Sequence, residues 1–437
     1  MRGLIALFIL SFLMPNNIVT YAVFSLLVIL NQYRLSMKVK TSMIRGDIIF
    51  LVSFFIIHLL WPVLILLLDM EYRYSDVKVL NYLAQISFYS IFSFSLGFYI
   101  TSPPKNRLKR EYNEFFLIAY GKNIDTLLLI LLIVFYISAG KSYFLAEIYK
   151  TGGSSDTLSG LSGYLYTLII ILIFLRITII SKMPNFFRSK KLKLFKILFF
   201  TFFIASILSG DRSSVLSLLL GVLAFIPSSS FKLSKIKMTS GFLGFLVLMG
   251  FIRIWRSNTL SYVNLSELFF STALNLADSF RVFVYANEII NTEGVYQGLT
   301  WLGPLSGLLP FLQGTLVNLK LLSVETLNSP NVFTLYRYNT LDLTGEGSTI
   351  ASDLLLNFGP FGVIFGMLIL GVIFKKAIFI NPFQKSIVTS YSAVILIAFS
   401  VYISRSSILY PLKFIAWGAI INFFLYIYTK SFLRTNE

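Results

Sequence analysis

The sequence predicts an all-α protein that crosses a membrane many times and carries one large outward loop. Three observations support this. Of the 437 residues, 56% are hydrophobic and only 13% are charged, about half the charge of an ordinary soluble domain. The apolar residues run unbroken through stretches such as 48–68, 80–100 and 161–180, and roughly 20 apolar residues suffice to cross the hydrocarbon core as a helix. The loops between these runs fall into two alternating sets, one basic and one of mixed charge. Backbone inside lipid finds no water to bond, so each run is helical. A β-barrel would alternate apolar and polar residues, and these runs do not.

Spans are expected near 3–14, 17–31, 48–68, 80–100, 124–140, 161–181, 194–209, 213–228, 239–252, 350–374, 386–403 and 408–429, about twelve in all (11–12). Residues 3–31 form either a short hairpin turning at Pro15-Asn16-Asn17 or one kinked helix. Nothing after residue 31 depends on which. No small-residue cleavage site follows the first apolar run, which disfavours a cleaved signal peptide. The chain then divides into N-terminal helices with short loops (1–252), a large outward loop (253–349) and C-terminal helices (350–437).

One set of loops holds Arg34, Lys38, Lys40 and Arg45, then Lys105, Arg107, Lys109 and Arg110, and later Arg188, Lys190, Lys191, Lys375, Lys376 and Lys385. The positive-inside rule places this set, and with it the C-terminus, in the cytoplasm. The net charge of +18 is therefore an orientation signal and calls for no nucleic-acid partner. The chain has no cysteine and a single histidine, His58. Thiolate chemistry and Cys-based metal sites are excluded, and a Ser/His/Asp triad on the outward loops has no histidine to use. The cytoplasmic loops are too short for a nucleotide-binding domain, and no transporter-like repeat is visible.

Candidate chemistry lies on the outward side. Ser209-Gly210-Asp211-Arg212-Ser213-Ser214 joins two short apolar runs, so its charged pair is expected below the outer surface, where a charge is costly and usually functional. Ser404-Arg405-Ser406-Ser407 is a second short turn carrying an arginine. The long loop adds Asp278, Arg281 and Glu346 among many aromatics that suit sugar rings. Arg212, Arg281 and Arg405 together would make a cationic pocket for a pyrophosphate, since guanidinium forks match phosphate oxygens and stabilise a leaving anion. Trp301 to Gln313, broken by Pro304 and Pro310, is expected to lie in the outer leaflet against a lipid chain. Weaker signals are His58 and Arg176 inside spans, read as a helix–helix hydrogen bond and a snorkelling side chain or as a pathway, and Asp69 and Glu71, a carboxylate pair able to hold a divalent metal. Asn264-Leu265-Ser266 matches a glycosylation pattern that carries no meaning if the source is bacterial.

These residues resemble a family. The 209–214 corner, the loop entered through Arg253-Ile254-Trp255-Arg256 with Leu276-Ala277-Asp278-Ser279-Phe280-Arg281, the stretch Gly345-Glu346-Gly347-Ser348-Thr349-Ile350-Ala351-Ser352-Asp353 running into Asn357-Phe358-Gly359-Pro360, and Ile403-Ser404-Arg405-Ser406-Ser407 follow the order found in bacterial O-antigen repeat-unit polymerases of the Wzy type. The resemblance covers roughly residues 195–430. It implies a GT-C-like glycosyltransferase of the inner membrane, which moves a growing glycan from undecaprenyl pyrophosphate onto an incoming undecaprenyl-pyrophosphate-linked repeat on the periplasmic face. It implies no cofactor and no metal, and it implies membrane lipids, a chain-length regulator and a flippase as neighbours. Arg212 and Arg405 take the place of pyrophosphate-holding arginines, with Arg281 as a third. Asp211, Asp278 and Glu346 are the candidate catalytic carboxylates for the acceptor's proton. Two rivals are an O-antigen ligase, whose relatives use an outward-loop histidine that this chain lacks, and a lipid-linked oligosaccharide flippase, which would line its spans with more charge.

Overall fold

The computed structural model describes residues 2–37, 45–67, 76–102, 113–144, 161–183, 192–209, 211–224, 278–341, 345–380 and 385–435. The expected span 239–252, the loop entry at Arg253 and Arg256, and the Asp69/Glu71 pair lie outside them. The described residues are helical throughout, with no strand among them.

The first two helices, α1 (Arg2–Phe12) and α2 (Ile18–Met37), are separate. Gly3 lies beside Asn31, so they form the hairpin. Next comes α3 (Gly46–Leu67), which contains a π-helical turn at Ile56–Leu60 centred on His58. Then follow α4 (Val77–Ile100), α5 (Glu114–Phe144), α6 (Leu161–Ser181), α7 (Lys193–Leu208) and α8 (Arg212–Leu223). Residues 278–341 contain α9 (Arg281–Thr292), α10 (Leu302–Ser306), α11 (Leu312–Asn318) and α12 (Ser329–Tyr338). The chain ends with α13 (Ile350–Ile378), α14 (Ile387–Ala398), α15 (Ser400–Ser404) and α16 (Tyr410–Thr435). Among the described residues, six helices are long and apolar enough to cross a membrane: α3, α4, α5, α6, α13 and α16. Helices α1, α2, α8 and α14 are apolar but shorter.

Close packing rests on small residues. Gly97 of α4 abuts the Leu368 carbonyl and Gly371 of α13 abuts the Phe94 carbonyl, so a Cβ at either would collide with backbone. Between α5 and α6, Arg176 forks onto Asp125 at 2.8 and 2.9 Å. It is 2% exposed, so it does not snorkel. Gly121 leaves the room that its guanidinium occupies. Such a pair offsets its own desolvation only through good two-pronged geometry.

The basic helix ends meet at one end of the bundle. Arg45 and Lys375 both lie over the Phe98 ring, at 5.4 and 4.4 Å. Lys182 Nζ donates to the Lys385 carbonyl at 2.7 Å. Phe311 meets Tyr164 at 4.8 Å, at the end of α6 opposite Lys182.

Helix α13 folds back on itself. Gly359 has φ +68 and ψ −170, and Pro360 follows it. The Leu354 side chain packs against Gly366, a residue that would stand roughly 18 Å away along a straight helix. The arm 350–358 therefore runs antiparallel to the arm 360–378. The long arm still reaches roughly 28 Å, while the short arm carries its N-terminus down into the bundle. Its cap, Thr349, shares a hydrogen bond of 3.0 Å with His58 Nε2, level with the middle of α3.

Candidate active site

The buried half-helix brings the loop and the spans together. Thr349 caps it, accepting from the Ser352 N–H at 3.1 Å while Ser352 Oγ takes the Thr349 N–H at 2.8 Å. His58 holds Thr349 from the other side and is itself fixed by the Phe54 carbonyl at 3.0 Å. This is the helix–helix hydrogen bond expected of His58. The π-turn around it re-aims the ring, a use such turns often have.

Just past the cap, Asp353 is fully enclosed. Its carboxylate accepts from Trp301 Nε1 at 3.0 Å, from Ser407 Oγ at 2.7 Å and from the Ser329 hydroxyl. Asn357, one turn on, joins Thr300 of the loop. Asp353 thus ties the 278–341 region, at Trp301 and Ser329, to the turn at Ser407. Sequence reasoning did not single it out. The signal was there: Asp353 and Asn357 stand four apart on one face of an apolar run.

Just before the cap, Glu346 is buried under two arginines. It accepts from Arg281 Nε at 2.9 Å, from Arg337 and from the Tyr338 hydroxyl at 3.2 Å. Arg281 also pairs with Asp278. Three of the expected site residues, Asp278, Arg281 and Glu346, are therefore one cluster, and Arg337 is a member that the sequence did not reveal. The Glu346 and Asp278 side chains differ in access, at 1% and 40% exposed.

Asp211 and Arg405 form the other half. Asp211 is the N-cap of α8, accepting from the Ser214 N–H at 3.2 Å and from Ser213 Oγ at 2.7 Å. The Tyr166 hydroxyl also donates to it. Tyr166 lies more than a turn inside α6, so Asp211 sits below that end of the helix. Arg405 closes α15, its N–H donating to the Tyr402 carbonyl at 3.0 Å, and it is exposed. The Tyr402 hydroxyl lies within electrostatic reach of both Asp211 and Arg405. Ser404 meets Ser53 of α3 at 2.8 Å. The Arg212 side chain lies outside the described residues.

The four segments quoted for the resemblance therefore converge where described. The 345–353 stretch binds the 404–407 turn through Asp353 and the 278–281 turn through Glu346, and the turn approaches the 209–214 corner around Tyr402. The family model for the O-antigen polysaccharide polymerase Wzy matches residues 3–436. The chain belongs to that family. No curated protein and no solved structure matches it. A Wzy polymerase works on lipid-linked repeat units within membranes, and an all-helical, multi-pass chain suits that task.

Beside the site, the 301–313 segment seats on the bundle, with Trp417 Nε1 donating to the Leu308 carbonyl at 3.0 Å. Leu302, Leu305, Leu309 and Phe311 remain exposed. This apolar row suits contact with lipid.

Proposed function

We propose that this chain extends an O-antigen glycan by pyrophosphate displacement at the periplasmic face of the inner membrane. The donor is the growing glycan on undecaprenyl pyrophosphate. The acceptor is a hydroxyl of an incoming undecaprenyl-pyrophosphate-linked repeat. The donor's anomeric carbon–oxygen bond breaks and the pyrophosphate leaves with its electron pair. The acceptor oxygen bonds that carbon, and its proton passes to a carboxylate.

The single observation that carries this reading is the convergence of the 404–407 turn, the 278–281 turn and the 345–353 stretch on two buried carboxylates, Asp353 and Glu346. Arg405 and Arg212 hold the pyrophosphate, with Arg281 beside them. A charge that develops on a leaving pyrophosphate is met by guanidinium forks already in place, and such preorganised electrostatic stabilisation usually lowers the barrier more than any other single effect. Of the three candidate bases, Asp278 has the accessible carboxylate. Glu346 has both oxygens occupied by donors, and Asp211 caps a helix. We assign Asp278 to the acceptor's proton and the other two to positioning arginines and the corner.

The architecture of this proposal is GT-C-like, with about twelve spans, the 253–349 loop periplasmic and the C-terminus cytoplasmic. A chain-length regulator and a flippase are its expected neighbours. The test is a glycan gel from a strain lacking the gene. Loss of the ladder with one repeat left on the lipid core supports polymerisation. Long chains accumulating on the carrier would instead mean ligation, and repeats that never reach the outer face would mean transport.

A further inference from the structure

Helix α12 has two working faces. Arg337 and Tyr338 turn toward Glu346. Leu335, Tyr336 and Asn339 turn toward a cavity of about 440 Å³ between α12, the end of α9 and the 325–326 strip. That volume lies within the range of about 300–1,000 Å³ typical of small-molecule sites.

Ile289, Val332 and Leu335 contribute aliphatic side chains to its lining. The rest of the lining is polar and acidic. Tyr296 and Tyr336 frame it, each held at its tip: the Tyr296 hydroxyl donates to Glu293 at 2.8 Å, and the Tyr336 hydroxyl donates to Glu288 at 3.0 Å. Glu325 and Asn339 complete it. Among the described residues, none of Glu288, Glu293 and Glu325 forms an ion pair, and no lysine or arginine lines the cavity.

We propose that this cavity is a saccharide subsite for non-acidic sugar rings, neutral or amino-substituted. The proposal rests on the polymerase reading for its role but not for its binding chemistry. Fixed aromatic rings, with a few aliphatic side chains beside them, accept the C–H faces of a pyranose. Carboxylates and an amide offer acceptors for its hydroxyls. Unpaired carboxylates repel a uronate and attract an ammonium. Among the described residues a phosphate finds no cation here, so the lipid-linked end belongs at the arginines. Because one helix carries both faces, a sugar seated on Tyr336 stands next to the Arg337–Glu346–Arg281 cluster and lies outward of it. The cavity thus grips a ring of the glycan beyond the reacting one.

The experiment is saturation-transfer NMR on the full-length chain in detergent micelles. Three probes are used in the millimolar range: methyl glucosaminide, methyl N-acetylglucosaminide and methyl glucuronide. Transfer to the first two and little to the third is expected. Tyr336→Ala should abolish transfer, and Glu293→Gln with Glu325→Gln should erase the discrimination against the glucuronide while leaving the N-acetyl sugar bound. No transfer to any probe, equal transfer to all three, or transfer unchanged in both variants would overturn the subsite. The deletion strain is complemented in parallel. A normal ladder alongside failed transfer removes only the subsite. Wild-type protein that binds the sugars in a strain whose ladder never depended on the gene removes the polymerase reading and leaves the subsite standing.

Discussion

Two buried carboxylates flank the same helix cap and are held in opposite ways. Glu346, before Thr349, is enclosed by cations, with Arg281 and Arg337 each on one oxygen. Asp353, after it, accepts from an indole, two hydroxyls and the Asn357 amide. Glu346 therefore sets where two guanidiniums stand. Asp353 sets where three chain segments stand. The first is an electrostatic device and the second a structural knot. A charge-assisted bond is roughly twice as strong as a neutral one, but leaving either carboxylate's partners unpaired in a buried site costs more than any single bond returns.

The comparison can be broken by substitution. The largest effect is expected at the arginines outside both knots: Arg405→Ala and Arg212→Ala should abolish chain growth at normal protein level, measured by glycan gel and immunoblot. Arg212→Lys should rescue poorly, because an ammonium lacks the fork. Next is Asp353→Ala, which unties the knot. Thermal unfolding in detergent, followed by light scattering, should show a loss of about 3 kcal/mol or more and little protein in the membrane. Asp353→Asn keeps one acceptor oxygen and should recover part of it. Glu346→Gln should behave differently, retaining fold while reducing chain growth about tenfold or more, since it removes the charge that places Arg281 and Arg337. Arg337→Ala should mimic it. A common phenotype for Asp353→Asn and Glu346→Gln, with the same unfolding temperature and the same activity, would erase the distinction. The smallest effect is at His58→Gln, where one neutral bond to Thr349 is perturbed at a cost of about 1 kcal/mol.

The groove beside α12 adds a pH handle. Burial raises the pKa of Glu288 above its ordinary 4.5, while its bond from Tyr336 opposes the shift. Glu288 therefore takes up its proton at a higher pH than an ordinary glutamate. Its hold on the Tyr336 hydroxyl loosens as it does so, and saturation transfer to methyl N-acetylglucosaminide should weaken as pH falls, beginning above 4.5.

The spans were legible because length and apolar composition decide whether a helix crosses lipid, and α3, α4, α6 and α13 appear close to where the runs predicted them. The fold-back at Gly359 was not. Hydropathy adds residues without regard to direction, so 350–374 read as one span although Gly359-Pro360 stood inside it as a breaker pair. The site followed the same division. Asp211, Asp278, Arg281, Glu346 and Arg405 stood out as charges in an apolar chain. Asp353 and Arg337 were hidden because their meaning lies in partners distant along the chain: Ser407 for one, and a shared Glu346 with Arg281 for the other. Arg176 read as a snorkelling residue because its partner Asp125 sits on a different helix.

The most direct test reconstitutes the purified chain with undecaprenyl-pyrophosphate-linked repeat units and follows the release of undecaprenyl pyrophosphate as glycan lengthens. The account predicts one carrier released per linkage made by the wild type and none by Arg405→Ala at equal protein. Chain growth by Arg405→Ala at the wild-type rate would contradict it.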